Sequence, residues 1–306
     1  MKSKKLLKSI ILPSLCLFLM TACNNTTGDG AQTSAGNKDA ESGWKVVKEV
    51  SINHKANKIA FYNLDYGITV GYNGEIHYTT DHGETWPRAE NKSHCQFGVD
   101  IVNEKVAYSV GNHKQLVKTV DGGKTWSRIT DFGGHSPNQC QMVSFINENV
   151  GMIASQIQLG FTNDGGTTWV EQTPPSKIMS IYLVNEKEAY LVGLDKKLYV
   201  TKDAGVTWEN VAFNVEGFDD ENAFSSPQAC ALKVSEDGKG QFFYLAKGGK
   251  LRCFETKDGF ATVTKTCEVD FSEKMESSSK MFLSRDGKYI TLQSILSDKA
   301  LILTCE

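Results

Sequence analysis

The sequence has few arginines, few prolines and no apolar run long enough for a membrane span. Four arginines and six prolines occur among 306 residues. Apart from the four lysines in the first eight residues, 29 basic residues face 36 acidic ones. This acidic balance argues against a nucleic-acid partner and against a polybasic membrane patch, because both need clustered positive charge. The apolar stretch near the start is too short to span a bilayer, and no convincing amphipathic helix pattern occurs.

The first 22 residues have the pattern of an export signal. A lysine-rich start precedes an apolar stretch at residues 10–20, and the segment Met20-Thr21-Ala22-Cys23 follows. This order is typical of a secretory signal with its cleavage site. The cysteine directly after that site resembles the bacterial lipobox, with Met20 where the motif usually has leucine. The resemblance implies cleavage after residue 22 and a lipoprotein that carries diacylglycerol and palmitate at Cys23. An ordinary signal peptide with a chance cysteine is the alternative.

Residues 23–42 are predicted to form a flexible tether. They contain no aromatic residue and consist mainly of small or polar side chains. Such a segment buries too little apolar surface to offset the entropy lost on ordering. As a random coil it reaches on the order of 25 Å. Together with the lipid anchor, it predicts that the domain at residues 43–306 lies in the bacterial cell envelope outside the cytoplasm, either in the periplasm or on the cell surface.

Four segments repeat one eight-residue template, Thr-x-Asp-x-Gly-x-Thr-Trp. Their aspartates are 40, 43 and 39 residues apart, and a fifth segment at Thr256 has lost the later glycine and tryptophan. The template resembles the Asp box, also called the bacterial neuraminidase repeat. Its defining residues in this chain are Asp81, Gly83, Trp86, Asp121, Gly123, Trp126, Asp164, Gly166, Trp169, Asp203, Gly205 and Trp208.

The residue types of this template suit a closed turn better than a reaction centre. An aspartate carboxylate can accept hydrogen bonds from backbone amides just ahead of it. Glycine adopts the positive φ that other residues resist, and tryptophan can wedge between neighbouring sheets. We therefore predict that the box aspartates are structural, and that the chain has no catalytic residue, no bound metal and no cofactor.

The strands around the boxes repeat as well. Residues 101–108 recur as residues 183–190, and short apolar runs bounded by turn formers predict strands. Four strands in each unit of about 40 residues indicate a β-propeller. We predict an all-β, six-bladed β-propeller of four-stranded antiparallel blades, with seven blades as the alternative. The last blade has three strands at the C-terminus, so the strand at Trp44 is predicted to complete it and to remove an exposed sheet edge.

Six cysteines remain beyond the signal and the lipidation site, which permits up to three disulfides in an exported chain. Cys253 and Cys267 flank the fifth turn symmetrically and are a candidate cross-strand disulfide. Cys95, Cys140 and Cys230 occupy equivalent positions at the starts of first strands. These three are interpreted as buried or disulfide-bonded cysteines. A Cys/His metal site with neighbouring histidines and a free thiol are the alternatives.

The face opposite the boxes carries the loops between blades, and it is the candidate binding face. The long connection at residues 213–227 lies there and is acidic, but it lacks the spaced carboxylates and the glycine of a calcium loop. We interpret it as a solvated loop. The residues proposed for the binding face are His94, His113, His135, Asn138 and Gln139.

Proteins with Asp-box propellers include sialidases, xyloglucanases, sortilin-type receptors and the photosystem II stability and assembly factor family. A sialidase needs three arginines that clamp the substrate carboxylate, and the four arginines here are scattered along the chain. Residues 43–306 are most similar to the assembly-factor family, whose members are non-catalytic scaffolds on membranes. This chain departs from the family in lacking its basic binding patch and its usual seven blades.

That resemblance implies a non-catalytic, membrane-anchored binding scaffold with a protein or glycan partner. The alternative is an extracytoplasmic glycoside hydrolase or glycan-binding protein of the sialidase or xyloglucanase type. A hydrolase would need two carboxylates that face each other across a cleft. Such a pair on the central face would therefore separate the two functions.

Overall fold

The computed structural model describes residues 43–91, 93–113, 115–131, 139–218, 228–246, 248–271, 280–294 and 298–305. The predicted signal and tether, with Cys23, lie outside the described residues. Within the described part the chain forms 23 β-strands in six antiparallel sheets, with one 3-10 turn at Tyr72–Gly74. The predicted six-bladed all-β propeller is confirmed. No described segment is a helix with the length and hydropathy needed to span a bilayer.

Each sheet is one blade. Blades 1 to 3 contain β2 (Ala56–Phe61), β3 (Gly67–Gly71) and β4 (Ile76–Thr79); β5 (Gln96–Ile101), β6 (Ala107–Gly111), β7 (Gln115–Thr119) and β8 (Ser127–Asp131); and β9 (Met142–Phe145), β10 (Gly151–Ala154), β11 (Leu159–Thr162) and β12 (Val170–Gln172). Blades 4 to 6 contain β13 (Ile178–Leu183), β14 (Ala189–Gly193), β15 (Leu198–Thr201) and β16 (Glu209–Val211); β17 (Cys230–Val234), β18 (Gly240–Ala246), β19 (Lys250–Thr256) and β20 (Thr264–Asp270); and β21 (Lys280–Leu283), β22 (Tyr289–Gln293), β23 (Lys299–Cys305) and β1 (Trp44–Ser51).

The first strands of the blades surround the central axis. Each of β2, β5, β9, β13, β17 and β21 contacts the next, and β21 contacts β2 to complete the ring. Second strands are covered by neighbouring blades on both faces, and every residue of β3, β6 and β14 is buried. The outer strands β12 and β16 are short and largely exposed. The apolar core therefore lies between the blades.

The N-terminal strand completes the last blade, as predicted. β1 pairs antiparallel with β23, from Trp44 opposite Cys305 to Ser51 opposite Lys299. The Trp44 ring also packs edge-on against Phe243 of blade 5, with ring centroids 5.1 Å apart. The two ends of the described chain are thus joined in one sheet, which leaves no unpaired edge on β23.

The first blade departs from the predicted four-stranded pattern. Its regular sheet has three strands, and residues 87–89 take the place of a fourth. They form one isolated bridge between His77 and Arg88, and the Ala89 amide donates to the Ile76 carbonyl at 2.8 Å. Pro87 follows the box tryptophan and has no N–H to donate, so a continuous ladder cannot form at this point.

Candidate functional site

Each Asp box is the turn between the third and fourth strands of a blade, and its hydrogen bonds close on themselves. In the first box, Asp81 Oδ1 accepts from the Thr79 hydroxyl at 2.7 Å and from the Thr85 amide at 3.0 Å. Asp81 Oδ2 accepts from the Thr85 hydroxyl at 2.6 Å, and Thr79 Oγ1 accepts from the Gly83 amide at 2.9 Å. The same four bonds recur in the boxes of Asp121, Asp164 and Asp203, at 2.6 to 2.9 Å.

These bonds hold the carboxylates in their charged form. Hydrogen bonds from Thr85 lower the pKa of Asp81 to about 2, and bonds from Thr168 lower the pKa of Asp164 to about 2. A carboxyl group with such a pKa carries no proton to donate at neutral pH, so it is unsuited to general acid catalysis. The structural part predicted for these aspartates agrees with this geometry and stays a prediction.

The fifth box is complete in structure although its sequence has diverged. Asp258 accepts from Thr256 and Thr262 with the same pattern, at 2.6 to 2.9 Å. Phe260 stands at the glycine position with a φ of 71° and donates its amide to Thr256 Oγ1 at 2.9 Å. Its buried ring packs edge-on against Tyr190 of the preceding blade, with centroids 6.2 Å apart. The sequence indicated this fifth copy as one that had lost its glycine and tryptophan, and the structure shows that its hydrogen bonds are nevertheless intact.

The box tryptophans pack towards the preceding blade. Trp126 is 6% exposed and lies in one apolar cluster with Ile68 and Ile76 of blade 1. Its indole N–H donates to the Gly123 carbonyl at 3.0 Å. Trp86 clusters in the same way with Val50 of the closing strand. Each of these boxes therefore fixes a turn and also fills an interface between blades.

Three residues of the candidate binding face lie in the described part, and they are close to one another. The rings of His94 and His113 are 4.9 Å apart between centroids. Gln139 forms an isolated bridge with Asn112, the neighbour of His113. His135 and Asn138 lie outside the described residues. The face thus gathers two imidazoles and an amide from blades 2 and 3, and its part in binding stays a prediction.

The cysteines divide into one bridge and a set of thiols. Cys253 and Cys267 are paired residues of β19 and β20 and form the predicted disulfide. Cys95, Cys140 and Cys230 carry thiols and are not bonded to one another. Burial raises the pKa of Cys230 to about 12, so this thiol stays protonated. Among the residues that the structure describes, no group of three or more potential metal ligands comes together.

No pattern in the sequence indicated the polar groups along the central axis. The first strands line a partly open cavity of about 90 Å³. Its charged lining residues in the described part are Lys58, Asp100 and Arg285. Asp100 is the one carboxylate that lines it within the described ranges, so the facing pair that a glycoside hydrolase would need is not formed there.

Arg285 crosses this axis from the turn between β21 and β22. Its guanidinium donates to the Ser144 hydroxyl at 3.0 Å, to the Leu183 carbonyl at 3.3 Å and to Asp100 at 3.4 Å. It also lies over the Tyr182 ring, 5.3 Å from the centroid. One side chain of blade 6 thereby bridges blades 2, 3 and 4 near the Asp-box end of the axis.

Gln228 crosses the axis towards the opposite face, where the first strands begin. Its side-chain amide donates to the carbonyl oxygens of Phe97, at 3.3 Å, and of Gln141. Its backbone accepts from the Met281 amide and donates to the Met179 carbonyl, each at 2.8 Å. A φ of 68° at this non-glycine residue is sustained by those contacts. Arg285 and Gln228 therefore tie the blades together near the two ends of the cavity.

Two lysines join the first and last blades at the inner seam. Lys58 of β2 donates to the Met281 carbonyl of β21 at 2.5 Å, and Lys280 of β21 donates to the Asn57 carbonyl at 2.6 Å. Burial lowers the pKa of Lys58 well below its usual value and the pKa of Lys280 to about 8. The seam is thus held by reciprocal lysine–carbonyl bonds in addition to the β1–β23 pairing.

The fold and these turns define a β-propeller whose blades are stapled by Asp boxes. Residues 36–173 and 90–292 match the family described as photosynthesis system II assembly factor YCF48. The matches cover well over half of the chain, and the chain belongs to this family.

Several solved structures resemble this chain. One is YCF48 bound to D1 peptide, at 15% identity and a TM-score of 0.55, covering 86% of this chain and 96% of that one. The WD40 propeller domain of Doa1 matches at 10% identity and a TM-score of 0.55, over 86% and 98%. The WD40 repeats of RRP9 match at 10% and 0.59, over 88% and 98%. Identities this low show a shared fold alone. No curated protein sequence matches the chain.

Proposed function

We propose that this protein is a non-catalytic binding scaffold, anchored by lipid at Cys23 in the cell envelope outside the cytoplasm. The observation that carries the proposal is that the carboxylates of the repeats are engaged in hydrogen bonds within their own turns. All five box aspartates accept hydrogen bonds from their own turns. Membership of the assembly-factor family supports the same function, because one solved YCF48 structure holds a D1 peptide. The partner is accordingly proposed to be a protein segment.

The anchor is tested by replacing the cysteine. Cys23→Ala should give a protein that takes up no fatty-acid label and leaves the membrane fraction, or that remains as an uncleaved precursor. Cys305→Ala changes a cysteine of the domain and should leave labelling intact. The measurement is metabolic labelling with a fatty-acid analogue, followed by fractionation. Label that persists on Cys23→Ala would refute the anchor.

The binding face is tested by capture from membranes with the anchor intact. We expect a partner protein to co-purify with the wild-type chain and to be lost from a His94→Ala, His113→Ala double variant. Val206→Ser is the matched control, since this side chain is 67% exposed in an Asp-box turn on the other face. Retention on immobilised glycans without any captured protein would favour the glycan-binding function. Equal capture by the double variant would place the binding surface elsewhere.

A further inference from the structure

The central cavity presents more positive than negative charge. Lys58 is 5% exposed, and the one described residue that accepts a hydrogen bond from its ammonium is Met281, through a neutral carbonyl. An ammonium has three N–H groups. None of the ion pairs within the described ranges includes Lys58. A protonated Lys58 therefore faces one neutral carbonyl oxygen and no counterion among the described residues.

The carboxylate in the cavity is already engaged. Asp100 Oδ2 accepts from the Phe145 amide at 2.6 Å and lies 3.4 Å from the Arg285 guanidinium. Arg285 Nε is buried and has no hydrogen-bond partner among the described residues. Two cationic side chains thus share a cavity with one carboxylate, and that carboxylate is bound to only one of them.

The surroundings of Lys58 increase the imbalance. Lys280 repels it across the seam and lowers its pKa further, after the larger effect of burial. The neighbouring Cys230 thiol stays protonated, since burial raises its pKa to about 12. Isolated buried charges are costly, and proteins pair them or lose the proton. An anion in the cavity would supply the missing partner and would favour the charged lysine.

We propose that the central cavity binds one small anion, of the size of chloride or formate, against the Lys58 ammonium, with Arg285 among the residues that line the same cavity. The volume of about 90 Å³ admits such an ion together with several waters. Those waters could donate hydrogen bonds to Gln141 Oε1 and Gln228 Oε1, which are buried without a partner among the described residues. A cation is disfavoured because both Lys58 and Arg285 repel it.

The position of the anion is tested with the unaltered full chain. Crystals soaked in bromide should show an anomalous peak inside the cavity beside Lys58 Nζ. Bromide confined to the outer surface would be an adventitious ion only and would overturn the proposal. This measurement needs no substitution, so it stays decisive even if a cavity variant fails to fold.

The energetic test compares the thermal unfolding of the full chain in chloride and in gluconate at equal ionic strength, since gluconate is much bulkier than chloride or formate. Above its dissociation constant, each tenfold rise in chloride should raise Tm by about 3–5 °C. Lys58→Met should abolish this dependence, whatever its own stability. Lys299→Met should retain it, because Lys299 is an outer lysine that pairs with Glu49 at 2.6 Å.

The identity of the anion follows from a parallel titration with formate. A larger rise in Tm with formate would assign the cavity to a compact carboxylate, and a larger rise with chloride would assign it to a halide. An equal response of wild type and Lys58→Met to both anions would overturn the proposal. So would the absence of any response in the wild type.

Discussion

Asp81 in a turn and Lys58 within β2 are both ionisable side chains, but they find their partners at very different distances along the chain. Asp81 accepts from Thr79 and Thr85, two and four residues away. Lys58 donates to Met281, 223 residues away. The box carboxylate is satisfied as soon as its turn forms, whereas the lysine finds its partner only when the ring has closed. Local motifs therefore hold each turn, whereas the long-range polar contacts form only in the assembled ring.

Truncation of the N-terminus through residue 51 should have the largest effect on the free energy of unfolding, because it removes the strand that closes the ring. β23 would be left with an open edge, and we expect loss of a large part of the roughly 5–15 kcal/mol of a typical domain. Chemical denaturation measures the change. Truncation only through residue 42 is the control and should leave the midpoint unchanged, since that segment is predicted to be a tether. Equal stability of both truncations would mean that the seam lysines alone can hold the ring.

Trp126→Ala tests the box as a filler between blades. The ring is buried, so its loss should cost about 3–5 kcal/mol by leaving a cavity against blade 1. The measurement is the denaturant midpoint at constant slope. Val120→Ala in the same turn is the matched control, because Val120 is 60% exposed and should change little. A small effect at Trp126 would show that the turn, and not the wedge, stabilises the blade.

Lys280 tests the seam through pH. Burial lowers its pKa from the usual 10.5 to about 8, so between these values the unfolded chain binds a proton that the folded chain lacks. Stability should therefore rise with pH across this window, by at most about 3 kcal/mol from this residue. Lys280→Met should lose that rise, and the exposed Lys299→Met should keep it. Identical pH profiles for Lys280→Met and the wild type would contradict the buried charge.

The smallest effect is expected in the turns themselves. Asp121→Ala should lower the free energy of unfolding by about 1–2 kcal/mol, because the turn amides lose their acceptor at a position that water can partly reach. Asp258→Ala should lower the denaturation midpoint comparably, since the fifth box makes the same bonds. A silent Asp258→Ala would show that Phe260, and not the carboxylate, holds that turn.

The repeats made most of the fold predictable. Regular spacing of the boxes indicated the blade length, and the unpaired strand at Trp44 indicated how the ring closes. The departures come from single residues: Pro87 interrupts the fourth strand of blade 1, and Phe260 restores an aromatic wedge from the glycine position of the fifth box. Pro87 lies just after the eight-residue template, and the packing of Phe260 depends on the preceding blade, so the template alone could show neither.

The sequence by itself determined the all-β class, the length of a blade and the self-contained turns, because these follow from patterns within about 40 residues. It indicated the closing strand through a strand left over at each end, and it left six and seven blades open. The tertiary structure alone decided which polar side chains meet at the axis. Arg285 reaches Asp100 across 185 residues, and Lys58 reaches Met281 across 223. No local pattern encodes such contacts, because they exist only once six separate first strands have been placed side by side.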